Sequence, residues 1–191
     1  MKSYVVKTGL IRLSYANIWE AKQDMSGRLK YSASLIIDGE DKSTLAKFNN
    51  AIKEMLADPE VLKVLGGKTK NIRLPVRNGN DREGDVNYEG NYFVNANANE
   101  GHPPTIVDRK GDPIYEKAKV YSGCYCLAVV SLYPYNQAGN RGIGAGLQGL
   151  MFIKDGEPLT GGGRITADSF DTSGLPDDVE EATDDDLDLI F

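Results

Sequence analysis

The spacing of apolar residues predicts strands first and a helix next. Apolar side chains fall on alternate positions in residues 5–15 and again in residues 29–37, the period of a strand with one buried face. The period then changes, and five apolar residues recur three or four apart: Leu45, Phe48, Ile52, Met55 and Leu56. That spacing predicts a helix beginning after the capping candidates Asp41, Ser43 and Thr44.

A second, short helix is predicted after the first. Asp58 is a candidate N-cap with Pro59 at the first helical position, and Gly66–Gly67 ends the run. Residues 78–90 are rich in Gly, Asn and Asp and predict a loop. Strand patterns return in residues 91–99, 115–135 and 144–154. Five strand segments with a helical insertion after the second predict a mainly β protein, a small antiparallel barrel and not a doubly wound parallel sheet.

Residues 115–135, taken as one long strand, carry the strongest functional signal. The even positions are small and apolar, whereas the odd positions interleave cations with rings: Lys117, Lys119, Tyr121, Tyr125 and Tyr133. Rings stack on bases and cations pair with phosphates, so this face is typical of a groove for single-stranded nucleic acid. The alternative is a half-exposed sheet face rich in Tyr, a residue that favours strands.

Further candidates lie on other predicted strands and loops. Phe93 shares a strand face with Asn91, Asn95, Asn97 and Asn99, as an exposed stacking ring would. Tyr92 is a neighbouring candidate, and Tyr31 is one that core packing explains equally well. The remaining candidates are cations: Arg28, Lys30, Arg73, Arg77 and Arg141. Each by itself is a solvated surface charge. They form a binding site only if the fold brings them together in one groove.

The chain offers little for catalysis or metal binding. Cys124 and Cys126 lie two apart on one strand face, and with His102 as the chain's one histidine they do not supply four zinc ligands; we interpret them as buried thiols. Residues 144–149 match G-x-G-x-x-G but lead into a strand, so these glycines allow barrel curvature or close approach of backbones. The carboxylates of residues 81–85 fall in the predicted loop. We therefore predict a binding protein with no metal or cofactor, not an enzyme.

Charge divides the chain in two. Residues 166–191 hold eight Asp, two Glu and no Lys or Arg, a charge of -10, whereas residues 1–165 hold 22 basic and 18 acidic side chains, a charge of +4. We predict a nucleic-acid-binding domain over residues 1–164 and a flexible acidic tail over residues 165–191. The tail ends in acids followed by apolar residues, a pattern that favours docking on a partner protein: Asp184, Asp185, Asp186, Asp188, Leu189, Ile190 and Phe191.

The tail is also long enough to reach the domain. A flexible segment of 26 residues spans roughly 28 Å, so the sequence predicts that the tail competes with nucleic acid for the basic groove. The first residues contain no apolar signal segment, and no run of about 18 apolar residues occurs. We therefore expect a cytoplasmic protein without a membrane span.

Six stretches are informative in combination: residues 13–15, 30–35, 92–96, 120–125, 140–147 and 155–159. Together they resemble a family of bacteriophage single-stranded DNA-binding proteins with an OB-type barrel, which would place the protein in the cytoplasm of a host cell. The resemblance implies a five-stranded Greek-key barrel that coats single-stranded DNA without strong sequence preference during replication or recombination, with the tail recruiting replication or recombination proteins. Further copies of the chain on the DNA are an open alternative.

Two other functions fit the same residues. The barrel is also suited to RNA binding or strand annealing, because stacking rings and cations do not by themselves distinguish DNA from RNA. A phage protein-interaction module that binds no nucleic acid is the second alternative, in which the aromatic residues belong to the core.

Overall fold

A computed structural model describes residues 2–159 and has mainly β structure, as predicted. The tail candidates Asp184, Asp185, Asp186, Asp188, Leu189, Ile190 and Phe191 and the predicted domain boundary at residues 164–165 lie outside the described residues. The strands are β1 (Tyr4–Lys7), β2 (Ile11–Gln23), β3 (Leu29–Ile37), β4 (Val76–Asn78), β5 (Tyr92–Asn99), β6 (Thr105–Val107), β7 (Tyr125–Gln137) and β8 (Asn140–Lys154). The helices are α1 (Lys42–Ala57) and α2 (Pro59–Val64), with 3-10 turns at Gly79–Asp81 and Lys117–Lys119.

All eight strands belong to one sheet, in the order β1-β7-β2-β3-β5-β8-β6, with β4 paired to β5. An additional pairing joins β7 to β8, so the pairings β7–β2–β3–β5–β8–β7 return to the starting strand. The β5–β8 pair is parallel, and the other four pairs of this ring are antiparallel. The helices lie between β3 and β5 in the chain.

The predicted alternation explains the core. Leu13, Leu35, Val94 and Leu147 are buried on the inner faces of β2, β3, β5 and β8. In β7 the even positions are buried from Cys126 to Leu132, as predicted. Cys124 and Cys126 are buried free thiols with their sulfurs 3.7 Å apart, which confirms that interpretation.

The helix predictions are also confirmed. Phe48, Ile52 and Met55 form the buried stripe of α1, and the Asp41 side chain caps it by accepting a hydrogen bond from the Thr44 amide at 3.0 Å. Asp58 caps α2, with Pro59 as its first residue. Neither helix in the described part of the chain is long and apolar enough to cross a membrane.

The predicted strand count was wrong, since residues 2–159 form eight strands and not five segments. Residues 5–15 divide between β1 and β2, which lie along the same strand, β7, with a break at residues 8–10. Short strands β4 and β6 were not predicted, and β2 runs on to Gln23, beyond the strand pattern that ends at residue 15.

The predicted strand over residues 115–135 begins ten residues late, at Tyr125. Before it the chain bends at Gly123, whose φ is +116°. A side chain at Gly123 would collide with the Glu157 carbonyl, because the chain segment 154–159 crosses here. The odd-position face therefore does not extend back to Lys117 and Lys119, which lie in a 3-10 turn.

Candidate nucleic-acid interface

A surface groove of about 1160 Å³ brings together three of the predicted site residues, Arg28, Lys30 and Tyr133. We call it the Tyr133 groove. It lies where the β2–β3 turn meets β5, β7 and β8, and its walls include Arg28, Leu29, Lys30, Asn97, Ala98, Asn99, Ser131, Tyr133, Tyr135, Gln137, Asn140 and Gln148. The groove thus holds cations, rings and amides on one surface.

The β2–β3 turn is organised around Asp24. Its carboxylate accepts hydrogen bonds from the amides of Ser26 at 2.8 Å and Arg28 at 3.0 Å and pairs with the Lys30 ammonium at 2.7 Å. The hydrogen bonds from Lys30 and Ser26 hold the pKa of the Asp24 carboxyl well below its usual range. One carboxylate against two cations leaves this wall with a net positive charge, and the turn fixes where that charge sits.

Tyr133 supplies the exposed ring of the groove. Its side chain is 45% exposed, and its ring lies against Gly144 of β8, where an added Cβ would be 2.5 Å from the ring. Burial and nearby Tyr135 raise the pKa of the Tyr133 hydroxyl, while Arg28 acts in the opposite sense. The glycine therefore lets the ring approach the strand closely. The close approach of backbones predicted for residues 144–149 is found instead at Gly149, where an added Cβ would lie 3.1 Å from the Thr105 carbonyl oxygen.

Polar side chains complete the groove. Asn97 and Asn99 come from β5, and Gln148 donates to the Ser131 hydroxyl at 2.9 Å. A side-chain amide has both a donor and an acceptor, so it can pair with base edges, and its NH2 group can donate to a phosphate. Tyr135 is a groove residue that sequence analysis missed, although it shares the odd-position face of β7 with Tyr133.

Two other tyrosines of the predicted face lie away from the groove, under the segment 154–159. Tyr121 donates a hydrogen bond to Asp155 at 2.8 Å, and burial together with that carboxylate raises the pKa of its hydroxyl. The Tyr125 ring is flanked by the Arg12 guanidinium at 5.7 Å and the Lys154 ammonium at 4.9 Å. Both rings are half-buried, and their role in binding nucleic acid stays a prediction.

The expectation that Phe93 is exposed was wrong. Phe93 is 3% exposed, with the Arg82 guanidinium 4.8 Å from its ring and Tyr88 edge-on at 5.1 Å. The polar row it belongs to exists, but residues 79–90 fold over this end of it. Tyr92 is half-buried against the main core, and Tyr31 is half-buried on β3.

The remaining predicted cations are dispersed. Lys117 and Lys119 pair with Glu20 and Glu116. Arg141 donates to the Leu65 carbonyl at 3.1 Å, beyond the end of α2. Arg73 and Arg77 are exposed beside and within β4. None of these five residues lines the Tyr133 groove as described.

A group of rings around Arg82, which we call the Arg82 cluster, was not found from the sequence. The Arg82 guanidinium lies 4.4 Å from the ring centroid of Tyr88, 4.8 Å from that of Phe93 and 5.1 Å from that of Tyr15. Tyr88 is fully buried, whereas Tyr15 is 60% exposed. The polar composition of residues 78–90 concealed this cluster, because one ring and one cation suffice to anchor an otherwise polar loop.

Comparison with known proteins gives one family. The family model described as Enterobacter phage Enc34, ssDNA-binding protein, matches residues 4–186. Protein p50 of Acyrthosiphon pisum secondary endosymbiont phage 1 is 29% identical over 182 residues, which are 92% of this chain and 97% of p50.

Solved structures share the fold. The C-terminally truncated single-stranded DNA-binding protein from bacteriophage Enc34 superposes with a TM-score of 0.69 at 18% identity, covering 82% of this chain and 89% of that one. The same Enc34 protein in complex with single-stranded DNA superposes with a TM-score of 0.61 at 21% identity, covering 82% and 90%.

Proposed function

Because the chain belongs to the family of the Enterobacter phage Enc34 single-stranded DNA-binding protein, we propose that it binds single-stranded DNA in the Tyr133 groove. The observation that carries this proposal is the meeting of an exposed ring with two cations on one surface. Stacking on a ring tolerates every base, since each has a π-face, so binding proceeds without strong sequence preference. The protein acts as a binding protein, not as an enzyme.

The groove assigns a part to each side chain. Bases stack on Tyr133, and Arg28 and Lys30 neutralise phosphates along the turn. Lys30 exchanges its contact with Asp24 for a phosphate, or keeps it and orients the turn for Arg28. Asn97 and Asn99 on the neighbouring strand β5 satisfy polar edges of the nucleotides.

We further propose that the five strands β2, β3, β5, β7 and β8 form an OB-type Greek-key barrel. The closed set of pairings and the single parallel pair β5–β8 support this. The β2–β3 and β7–β8 turns both border the groove, through Arg28 and Asn140. OB-folds bind oligonucleotides between the corresponding turns.

The acidic tail has two proposed roles. Its charge of -10 over residues 166–191 against +4 for residues 1–165 favours competition with DNA for the basic groove. Its last residues, Asp184–Asp185–Asp186 and Asp188–Leu189–Ile190–Phe191, recruit replication or recombination proteins once DNA releases them. The setting is phage replication or recombination in the host cytoplasm.

Competition binding tests the main proposal. A fluorescein-labelled dT oligonucleotide bound to the full chain is displaced by unlabelled single-stranded DNA, RNA or duplex DNA, followed by anisotropy. We expect single-stranded DNA to displace the label at the lowest concentration. Preference for RNA would establish the annealing alternative, and equal competition by duplex would overturn the proposal. If no nucleic acid binds even in dilute buffer, the alternative of a protein-interaction module is favoured.

Deleting residues 183–191 tests the tail. The deletion removes four carboxylates, so we expect tighter binding to dT at low salt, with the difference vanishing as salt screens the charges. A matched variant with Asp184, Asp185, Asp186 and Asp188 changed to Asn keeps the length and the apolar end. Unchanged or weaker binding by both variants would contradict competition by the tail.

A further inference from the structure

Tyr15 is an exposed ring in a backbone conformation that bulky residues rarely adopt. Its φ is +45°, in the left-handed region, and its side chain is 60% exposed. Non-glycine residues held in this region carry backbone strain and cluster at functional sites. An exposed ring that only covered the surface would not require such a conformation.

A β-bulge in β2 holds Tyr15 in place. The β2–β3 register pairs Ser14 with Ser34 and then Asn17 with Ser32, which leaves one extra residue on β2. Side chains bond the bulged backbone: the Ser122 hydroxyl accepts from the Ala16 amide at 2.9 Å, and Asn17 donates to the Tyr15 carbonyl at 3.3 Å. Asn17 also donates to Ser32 at 3.2 Å. The conformation is therefore built in by several contacts.

Arg82 supports the ring from the side of the loop. Its guanidinium lies 5.1 Å from the Tyr15 centroid and is held in turn by Tyr88 and Phe93. Within residues 2–159 no carboxylate oxygen lies within 4.0 Å of this guanidinium, although Glu83, Asp85 and Glu89 line the 330 Å³ pocket beside it. A positive charge thus lies beside an exposed ring, with no ion-pair partner among residues 2–159.

The Arg82 cluster and the Tyr133 groove are joined by one polar row. Phe93, Asn95, Asn97 and Asn99 alternate along β5 and so share a face. Arg82 covers Phe93 at one end of the row, and Asn97 and Asn99 line the groove at the other. From Phe93 to Asn97 is about 13 Å at roughly 3.3 Å per residue, a span of at most about four nucleotides at the duplex rise of ~3.4 Å.

We propose that Tyr15 is a second base-stacking position, reached by a single strand that leaves the Tyr133 groove along the Asn row. Arg82 fixes the ring and offers its free charge to a neighbouring phosphate. The position rests on the proposed function, because it extends the path of the DNA bound in the groove. The bulge strain is retained because it turns the ring outward to a base.

Tryptophan fluorescence tests contact at this position directly. The chain has one Trp, Trp19, so Trp19→Phe gives a background in which Tyr15→Trp is the single reporter. We expect dT of about 20 nucleotides to quench this reporter. Tyr115→Trp in the same background is the matched control, since Tyr115 is 83% exposed elsewhere, and it should not be quenched. Binding of each variant is followed in parallel by anisotropy of labelled dT.

Affinity gives the second readout. Tyr15→Ala should weaken binding of the long oligonucleotide by about 5- to 100-fold, the loss expected for one stacked base, with Tyr115→Ala unchanged. Tyr15→Gly should weaken binding equally while raising the melting temperature, because glycine accepts the positive φ. If the reporter at position 15 is not quenched although anisotropy shows binding, the second position is overturned and the groove proposal stands. If anisotropy shows no binding by the wild-type chain, the proposed function itself fails.

Discussion

The Tyr133 groove and the Arg82 cluster combine the same kinds of side chain, aromatic rings with cations, and expose them differently. In the groove, Tyr133 rests on Gly144 and keeps 45% of its surface free. In the cluster, Arg82 lies against Phe93 and Tyr88, which are 3% and 0% exposed. The same composition therefore makes an open groove in one place and a small satellite core in the other, with Tyr15 at the exposed edge of that core.

The largest effect expected from this difference is on stability. Phe93→Ala should lower the free energy of unfolding by about 3–5 kcal/mol, because it removes a buried ring and leaves a cavity beneath Arg82. Urea denaturation measures the loss in the free energy of unfolding. Val86→Ala is the control, since Val86 is 78% exposed in the loop that carries Arg82 and Tyr88. A loss below about 1 kcal/mol would contradict a closed cluster.

Tyr133→Ala should weaken DNA binding more than it lowers stability, the opposite of Phe93→Ala. We expect it to cost about 1–3 kcal/mol of binding to dT through the lost stacking and to change stability much less than Phe93→Ala. Tyr133→Phe should keep the affinity, because the ring, not the hydroxyl, makes the contact. Anisotropy titrations at fixed salt measure the affinity of each variant and of the wild type for dT. Equal affinities for the Ala variant and the wild type would place the bases elsewhere.

Salt dependence compares the cations that line the groove with cations that lie outside it. Replacing Arg28 and Lys30 together by Ala should make the log–log salt slope less steep by about 1.4, at roughly 0.7 per phosphate contact. The matched double variant, Lys117→Ala with Lys119→Ala, should change the slope less, since these lysines lie outside the groove and pair with Glu20 and Glu116. A larger change for the second pair would return those lysines to the site.

The smallest effect concerns pH. Because hydrogen bonds from Lys30 and Ser26 lower the pKa of Asp24 in the folded protein, its carboxylate stabilises the turn above the unfolded pKa of about 3.9. This contribution is present at neutral pH and is lost as the pH falls below about 4 toward the folded pKa. Melting temperatures between pH 7 and pH 2 should therefore fall less in Asp24→Asn than in the wild type. Parallel curves for the two proteins would contradict this.

Some of this could be predicted from local pattern. The stripe of α1 and its Asp41 cap, the Asp58–Pro59 start of α2 and the buried even positions of β7 all depend on neighbours a few residues away. Arg28, Lys30 and Tyr133 could be named as candidates because the β2–β3 turn and the odd-position face of β7 are local features too. Their meeting in one groove was a hypothesis that required the pairing of β3, β5, β7 and β8.

What the chain alone determined is the type of the two helices and of the long core strands and which face of each is apolar, because both follow from periodicity and capping. Tertiary structure decided which exposed-looking rings stay exposed. Phe93 has the sequence context of a surface ring, and it is buried because Arg82 and Tyr88 arrive from a loop that has no strand or helix pattern. Burial depends on what packs against a face, and here the packing residues come from a nearby loop whose path is not predicted by periodicity.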